Sequence, residues 1–196
     1  MNRRLVLLLT AAALVTSGCD RLGLGGKAAF TGVDVTGSDF GRNLALTDQN
    51  GQPRTLADFK GKVVVVFFGY TQCPDVCPTT MAELAQVKKT LGKDGDRVQG
   101  VFVTVDPERD TPEVLKAYMG SFDPTFVALR GTLDQTAAAA KEFKVFYAKV
   151  PGKTDGSYTM DHTAGSYVID ATGKLRLFER YGGPPEALAA DLKAMM

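Results

Sequence analysis

Apolar residues along this chain occur in short continuous runs, and the stretches between the runs have the spacing of amphipathic helices. Runs of roughly four to eight apolar residues are typical of buried strands, and Val-Val-Val-Val-Phe-Phe at 63–68 is a clear example. Strands are predicted at 63–68, 98–105, 126–129, 145–150, 166–169 and 174–181. Helices are predicted at 78–91, 112–119, 133–143 and 185–195. This alternation predicts the α/β class, with a central mixed sheet flanked by helices.

A hairpin precedes the first of these strands. Residues 43–47 alternate between polar and apolar positions and lead to Asn50-Gly51, a dipeptide typical of tight hairpin turns. Residues 53–56 then form the return strand. We therefore expect an N-terminal β-hairpin extension on the α/β domain.

The start of the chain has the pattern of an export signal. Arg3 and Arg4 precede an apolar run at 5–15, which is too short to cross a bilayer that needs about 20 apolar residues. The small residues before Cys19 resemble a bacterial lipoprotein processing site, at which the cysteine is diacylated and becomes the mature N-terminus. Thr16 stands where such sites usually carry leucine. The alternative is a conventional signal peptide in which Cys19 is an incidental thiol.

These features divide the chain into three parts. Residues 1–18 are interpreted as a lipoprotein signal peptide, and residues 19–39, rich in small residues, as a flexible tether. Residues 40–196 are expected to form one folded domain. The predicted location is the bacterial cell envelope, with the protein exported and lipid-anchored at the outer face of the cytoplasmic membrane.

The composition is that of an ordinary globular domain, with 44% hydrophobic and 23% charged residues. A chain of this length buries roughly 70% of its surface without the help of disulfides, so its cysteines are available for chemistry. Removal of Arg3 and Arg4 reduces the 23 basic residues to 21 against 22 acidic residues, a formal net charge of −1. The sequence shows no basic cluster, which argues against nucleic-acid binding.

Cys73 and Cys77 lie where strand 63–68 ends and helix 78–91 is predicted to begin. Free N–H groups at a helix start favour the thiolate, so we expect Cys73, if exposed, to be the more reactive thiol. Residues four apart on a helix are separated by about 6 Å along its axis, which a disulfide tolerates. The pair is therefore suited to reversible oxidation or to metal binding. The alternative is a structural disulfide, although so short a loop gives little stabilisation.

The only histidine, His162, lies in segment 158–163, interpreted as a loop that leads into strand 166–169. The order of elements resembles a thioredoxin-like fold, in which that strand lies beside strand 63–68 and brings the loop towards the two cysteines. Two thiolates and one imidazole suit copper, because sulfur favours Cu(I) while nitrogen and one added oxygen ligand accommodate Cu(II). Structural zinc normally takes four protein ligands. The alternative is an ordinary surface histidine.

Three separated segments, 69–78, 105–112 and 161–163, resemble the Sco/SenC family over residues 40–196. These are membrane-anchored copper proteins of respiratory oxidase assembly. The resemblance implies a protein that loads or prepares the dinuclear copper site of cytochrome c oxidase subunit II. The copper ligands that the resemblance implies are Cys73, Cys77 and His162.

Asp106 resembles an aspartate that the family carries near the copper site, which makes it a candidate for steadying a ligand loop. The alternative is a purely local role at the start of a helix. There, Thr111 is expected to cap helix 112–119, Pro112 to occupy its first position, and Arg109 to pair with a nearby acid.

Two functions of different classes follow from these residues. A copper metallochaperone needs both cysteines and His162, and it is not an enzyme in the ordinary sense. A thiol–disulfide oxidoreductase, reducing the cysteines of an apo-oxidase or of another exported protein, needs the two cysteines alone. A peroxiredoxin-like peroxidase is disfavoured, because Tyr70 and Val66 stand where that family carries threonine and proline before its cysteine.

Overall fold

The structure is a computed structural model that describes residues 30–196. The predicted signal peptide, the candidate lipidation residue Cys19 and residues 19–29 of the predicted tether lie outside the described residues.

Within residues 30–196, eight strands form one mixed sheet. The strands are β1 (Val33–Asp34), β2 (Ala45–Asp48), β3 (Pro53–Thr55), β4 (Val63–Gly69), β5 (Val98–Thr104), β6 (Val127–Arg130), β9 (Gly165–Ile169) and β10 (Leu175–Arg180). They lie in the order β1-β10-β9-β4-β5-β6-β2-β3. Strands β4, β5 and β6 run parallel, and the remaining neighbours pair antiparallel. The predicted α/β class and the central mixed sheet are confirmed.

Every residue of β4 and β5 is buried, so both faces of the sheet are covered at its centre. Neighbouring residues of a strand point to opposite faces. On one face the Phe67 ring packs against Phe102, and on the other the Phe68 ring packs against Phe143 and Tyr167. Strand β9 pairs with β4, as the thioredoxin-like order predicts.

The four predicted helices are confirmed with small shifts of their ends. They are α1 (Val76–Thr90), α2 (Pro112–Gly120), α3 (Leu133–Glu142) and α4 (Pro185–Ala194). The expected cap of α2 is present, since the Thr111 hydroxyl accepts a hydrogen bond from the Val114 N–H and Pro112 is the first helical residue.

The predicted N-terminal hairpin is confirmed as β2 and β3, and β2 also pairs with β6, so the hairpin extends one edge of the sheet. The buried Asp48 carboxylate accepts hydrogen bonds from the Asn50 and Gln52 N–H groups and pairs with Arg54 at 2.8 Å. These bonds hold the tight turn predicted at Asn50-Gly51.

A separate two-stranded sheet consists of β7 (Tyr147–Pro151) and β8 (Tyr158–His162). Strand 145–150 was therefore correctly predicted as a strand but belongs to this second sheet, and the interpretation of segment 158–163 as a loop is wrong. The residues of β8 alternate in burial, with Met160 buried between the exposed Thr159 and Asp161. That period of two is the ordinary sign of a half-buried strand.

The first described residues pack onto the domain. Strand β1 pairs with β10, and the Thr31 and Gly32 N–H groups donate to the Asp191 carboxylate of α4 at 2.9 and 2.8 Å. These contacts fall within the segment interpreted as a tether. Across the described part of the chain, no helix combines the length and apolar content required to span a membrane.

Candidate metal centre

The two cysteines lie at the junction of β4 and α1. The helix begins at Val76, two residues earlier than predicted, so Cys77 lies in its first turn and Pro78 is its third residue rather than its first. The missing N–H of Pro78 still has no helical partner to lose there. Cys77 is fully buried and Cys73 is half-buried, and the Cys77 N–H donates to the Cys73 sulfur at 3.4 Å.

Gly69 makes room for one of the sulfurs. A Cβ atom at this last residue of β4 would lie 2.8 Å from Cys77 Sγ, 2.8 Å from the Phe67 ring and 3.0 Å from the Phe102 ring. Such contacts are shorter than real Cβ atoms make, so a side chain at this position would displace the sulfur. The glycine is therefore part of the site, although it offers no ligand.

His162 ends β8 with its ring directed at Cys77. The distance between His162 Nε2 and Cys77 Sγ is 3.3 Å, and Nδ1 lies 3.1 Å from the Thr163 carbonyl oxygen. A carbonyl oxygen only accepts hydrogen bonds, so Nδ1 carries the proton in the neutral ring. Nε2 then keeps the lone pair with which it can bind a metal ion. The Phe67 and Tyr70 rings meet the imidazole edge-on, with centroids 5.8 and 5.9 Å away, and fix its orientation.

Burial shifts the pKa values of His162 and Cys77 so that the neutral form of each side chain is favoured. Desolvation lowers the pKa of His162 below its ordinary value, although the Thr163 carbonyl and the Asp161 charge act in the opposite direction. Desolvation also raises the pKa of Cys77 strongly, helped by its hydrogen bond with Cys73 and by the charge of Asp110. The imidazole is therefore ready to bind a metal, whereas the Cys77 thiolate needs a cation to stabilise it.

The donor atoms of Cys73, Cys77 and His162 lie within 4.8 Å of one another. Donors about 2.3 Å from a central ion in a trigonal arrangement lie about 4 Å apart, so the set fits one soft metal ion after small movements. The two sulfurs are free thiols. Structural zinc would normally require a fourth His or Cys, and the described residues bring none to this cluster.

The site opens into a groove of about 540 Å³. Its lining includes Cys73, Pro74, Phe146, Asp161 and His162, and the Phe146 side chain is 64% exposed. Cys73 and His162 are thus reachable from solvent, whereas the Cys77 sulfur lies behind them.

Asp106 does not join the three donors. Its buried carboxylate accepts a hydrogen bond from the Tyr158 hydroxyl at 3.0 Å and forms an ion pair with Arg109. It therefore holds the first residue of β8, the strand that ends in His162. Arg109 pairs with a local acid as predicted, and it also donates to Gln72 and to the Tyr158 carbonyl, which the sequence did not indicate.

Asp110 is a contributor to the site that sequence reasoning missed. It is fully buried, and its carboxylate accepts hydrogen bonds from the Thr71 N–H at 3.1 Å, the Thr71 hydroxyl at 2.6 Å and the Thr104 hydroxyl at 2.5 Å. Desolvation raises its pKa. Thr71 precedes Cys73 by two residues. Asp110 therefore anchors the segment that carries both cysteines, residues 70–77, which we call the dithiol turn, to the end of β5. The sequence does place this acid directly before the Thr111 cap, but an acid at that position is equally typical of a solvent-exposed helix start.

The SCO1-SenC family model, described as SCO1/SenC, matches residues 34–196. A SCO2-like protein of Rickettsia felis is 40% identical over 150 residues, covering 76% of this chain and 73% of the relative.

Solved structures agree with this match. The structure of Bradyrhizobium japonicum ScoI with copper bound is 46% identical, with a TM-score of 0.72, covering 79% of this chain and 98% of that one. The solution structures of apo Sco1 from Thermus thermophilus are 38% identical, with a TM-score of 0.76, covering 86% of this chain and 98% of that one. The thioredoxin-like arrangement expected from the sequence is thus confirmed, and the chain belongs to the SCO1/SenC family.

Proposed function

We propose that this protein is a copper metallochaperone that acts in assembly of the dinuclear copper site of cytochrome c oxidase. Copper is its cargo, held by Cys73, Cys77 and His162. The observation that carries the proposal is the meeting of Cys77 Sγ and His162 Nε2 at 3.3 Å, although 85 residues separate them in sequence. Family membership and the copper-bound ScoI structure at 46% identity support it.

The chemistry of the donors suits both oxidation states of copper. Two thiolates favour Cu(I), and the imidazole nitrogen with an added oxygen ligand accommodates Cu(II). Cys73 is the accessible sulfur, so a recipient's thiol or imidazole reaches the ion from the Cys73 side of the groove. Cys77 is buried behind Cys73 and is therefore the last donor to release the copper ion. Transfer to cytochrome c oxidase subunit II by stepwise ligand exchange fits this order.

We also infer that the domain is exported and lipid-anchored at the outer face of the cytoplasmic membrane of a bacterium. The support is the pattern at the start of the sequence, where small residues precede Cys19. Expression of the full chain with Cys19→Ser tests this inference. We expect the wild-type chain to be found in the membrane fraction with a diacylglyceryl mass increment, and the variant to be released. Release of the wild-type chain would contradict the anchor.

Copper titration of the purified, reduced protein tests the metallochaperone. We expect one ion per chain, with Cu(II) binding lost in His162→Ala and Cu(I) retained at reduced affinity, because two thiolates still hold Cu(I). Cys73→Ser and Cys77→Ser should weaken both. Unchanged Cu(II) affinity in His162→Ala would contradict the proposed site. A mixture with apo-subunit II then tests delivery, which we expect to appear as the absorption of the dinuclear site.

A second function, thiol–disulfide exchange, is favoured by one observation. The Cys73 sulfur is half-exposed and accepts a hydrogen bond from a first-turn N–H of α1, as in reactive thiols at helix starts. In this reaction the Cys73 thiolate attacks a partner's disulfide, which forms a mixed disulfide and releases the first partner thiolate. The Cys77 thiol then passes its proton to that thiolate and attacks the Cys73 sulfur, which releases the second partner sulfur and leaves a Cys73–Cys77 disulfide. The His162→Ala variant separates the two functions, since it should retain exchange and lose Cu(II) binding. Loss of exchange in that variant would count against the oxidoreductase.

A further inference from the structure

The three donors come from two segments. Cys73 lies in the turn between β4 and α1 and Cys77 in the first turn of α1, whereas His162 ends β8, which pairs with β7 in the separate two-stranded sheet. Strand β9, which begins three residues after His162, pairs with β4 and brings the two segments near each other. Side chains that bridge the dithiol turn and β8 then adjust the distance between the imidazole and the sulfurs. Arg109 is such a bridge.

The Arg109 guanidinium contacts both segments at once. Nη1 donates to Gln72 Oε1 at 3.0 Å and to the Tyr158 carbonyl oxygen at 2.9 Å. Gln72 is the neighbour of Cys73 in sequence, and Tyr158 is the first residue of β8. One nitrogen atom thus ties the dithiol turn to the strand that carries His162.

The aromatic contacts of Arg109 act in the same direction. Its guanidinium carbon lies 3.6 Å from the centre of the Tyr158 ring and 5.7 Å from the centre of the Tyr70 ring. Tyr70 in turn meets the His162 ring edge-on. Asp106 holds the guanidinium in place through Nε and the Tyr158 hydroxyl through its other oxygen. The planar cation is therefore fixed on three sides.

We propose that Arg109 is a positioning residue that sets the distance between His162 and the two sulfurs, and thereby the capacity of the site for Cu(II). The inference rests on the proposed copper site and adds to it. Arg109 touches none of the donor atoms and acts through Gln72, Tyr158 and Tyr70. Cu(I) needs the two thiolates, whereas Cu(II) needs the imidazole as well, so loss of the bridge affects Cu(II) selectively.

Lysine is an informative replacement at this position. An ammonium ion retains the charge and can reach one acceptor, but it lacks the planar fork that serves Asp106, Gln72 and the Tyr158 carbonyl together. Arg109→Lys therefore preserves the positive charge and removes the planar set of hydrogen-bond donors. Arg109→Gln removes both.

Arg176→Gln is a matched control. The Arg176 side chain is 21% exposed, as is that of Arg109, and it pairs with a largely buried aspartate, Asp170, at 3.0 Å. It contacts neither the dithiol turn nor β8 among the hydrogen bonds of the described residues. Arg176→Gln therefore removes an ion pair comparable to that of Arg109, but it leaves the contacts of both ligand-bearing segments unchanged.

The experiment measures the Cu(I) and Cu(II) affinities of the four proteins, together with Cu(II) electron paramagnetic resonance and the thiolate-to-Cu(II) absorption. For Arg109→Gln we expect a roughly 10- to 100-fold loss of Cu(II) affinity, an altered Cu(II) spectrum and a much smaller change for Cu(I). Arg109→Lys should recover little of the Cu(II) affinity. Arg176→Gln should match the wild type in all four measurements.

Three results would overturn the inference. A wild-type Cu(II) spectrum and affinity in Arg109→Gln would show that His162 needs no bridge. Full recovery in Arg109→Lys would show that charge rather than geometry matters, and an equal loss in Arg176→Gln would reveal a general effect on stability. A wild-type protein that binds no copper would instead defeat the proposed function itself, which keeps the two failures distinct.

Discussion

The two halves of the metal centre are built in different ways. The dithiol turn follows β4, which pairs on both sides with β5 and β9 and is buried along its whole length. The imidazole comes from β8, which pairs only with β7 within the described residues, and two of whose five residues are exposed. The core of the protein therefore sets the sulfur positions, whereas the position of the ring depends in addition on side-chain contacts outside the main sheet.

One site therefore contains a rigid part and an adjustable part. In the proposed copper site, the rigid part would supply the ligands common to Cu(I) and Cu(II), and the adjustable part would supply the ligand that Cu(II) requires in addition. Changes on the dithiol side should therefore weaken both oxidation states, and changes on the β8 side should act mainly on Cu(II). Four experiments challenge or refine this division.

Replacement of the buried sulfur should have the largest effect. In Cys77→Ser we expect binding of both Cu(I) and Cu(II) to fall by on the order of 3 kcal/mol, more than 100-fold, which is a quarter of the free energy of a four-ligand metal site. Competition titrations measure the two affinities, and circular dichroism checks the fold. Retention of Cu(I) binding in a folded Cys77→Ser protein would break the division.

The pH dependence of binding should be the next largest effect. Burial holds the pKa of Cys77 well above its ordinary value, so copper must displace this proton, and affinity for Cu(I) should rise about tenfold per pH unit from that release alone. Burial lowers the pKa of His162, so the ring is already neutral above about pH 6.5 and adds no slope there. Titrations over a pH series measure both slopes, and the slope of Cu(I) affinity with pH in His162→Ala should differ from that of the wild type only in acid. A slope that disappears above neutrality in the wild type would contradict the assignment of the proton to Cys77.

A single methyl group placed against the Cys77 sulfur tests the rigid part of the site. In Gly69→Ala the new Cβ lies 2.8 Å from Cys77 Sγ, so we expect a loss of about 1–3 kcal/mol in stability and weaker binding of both oxidation states. Gly120→Ala is the matched control, because a Cβ at Gly120 meets no atom within 4 Å. Thermal unfolding and copper titration measure the two effects. A selective loss of Cu(II) in Gly69→Ala would place Cys77 on the adjustable side.

The smallest effect concerns an exposed charge beside the ring. Asp161→Asn removes a charge that raises the pKa of His162, and we expect Cu(II) affinity to change by less than about 1 kcal/mol and to lose part of its salt dependence. Asp155→Asn, in the exposed turn between β7 and β8, is the control. Cu(II) titrations at low and high salt provide the measurement. A large effect of Asp161→Asn would mean that the carboxylate itself binds copper.

The three candidate ligands were predictable from sequence because so few residues can bind a soft metal in this chain. The sequence has one histidine and one pair of closely spaced cysteines, and the third cysteine, Cys19, lies far from them in the segment interpreted as a lipoprotein signal. The α/β class was predictable from the alternation of apolar runs with helical stretches, and the resemblance to a thioredoxin-like fold correctly predicted that β9 lies beside β4.

The supporting contacts were harder to predict because they depend on tertiary structure. The alternation of β8 was visible in Tyr158, Met160 and His162, yet the segment was interpreted as a loop that leads into the next strand. Arg109 was interpreted as a local ion-pair partner, and its bonds to Gln72 and Tyr158 span 37 and 49 residues. No sequence periodicity encodes such contacts.

The hydrogen bonds between the Asp191 carboxylate and the first described residues have a mechanical consequence. A pull on the chain at Phe30 loads the amides of Thr31 and Gly32 and the two-residue β1 at the rim of the sheet. Strands β10 and β9 stand between that rim and β4. Tension applied at Phe30 should therefore separate β1 from β10 before it reaches the segment that carries the two sulfurs.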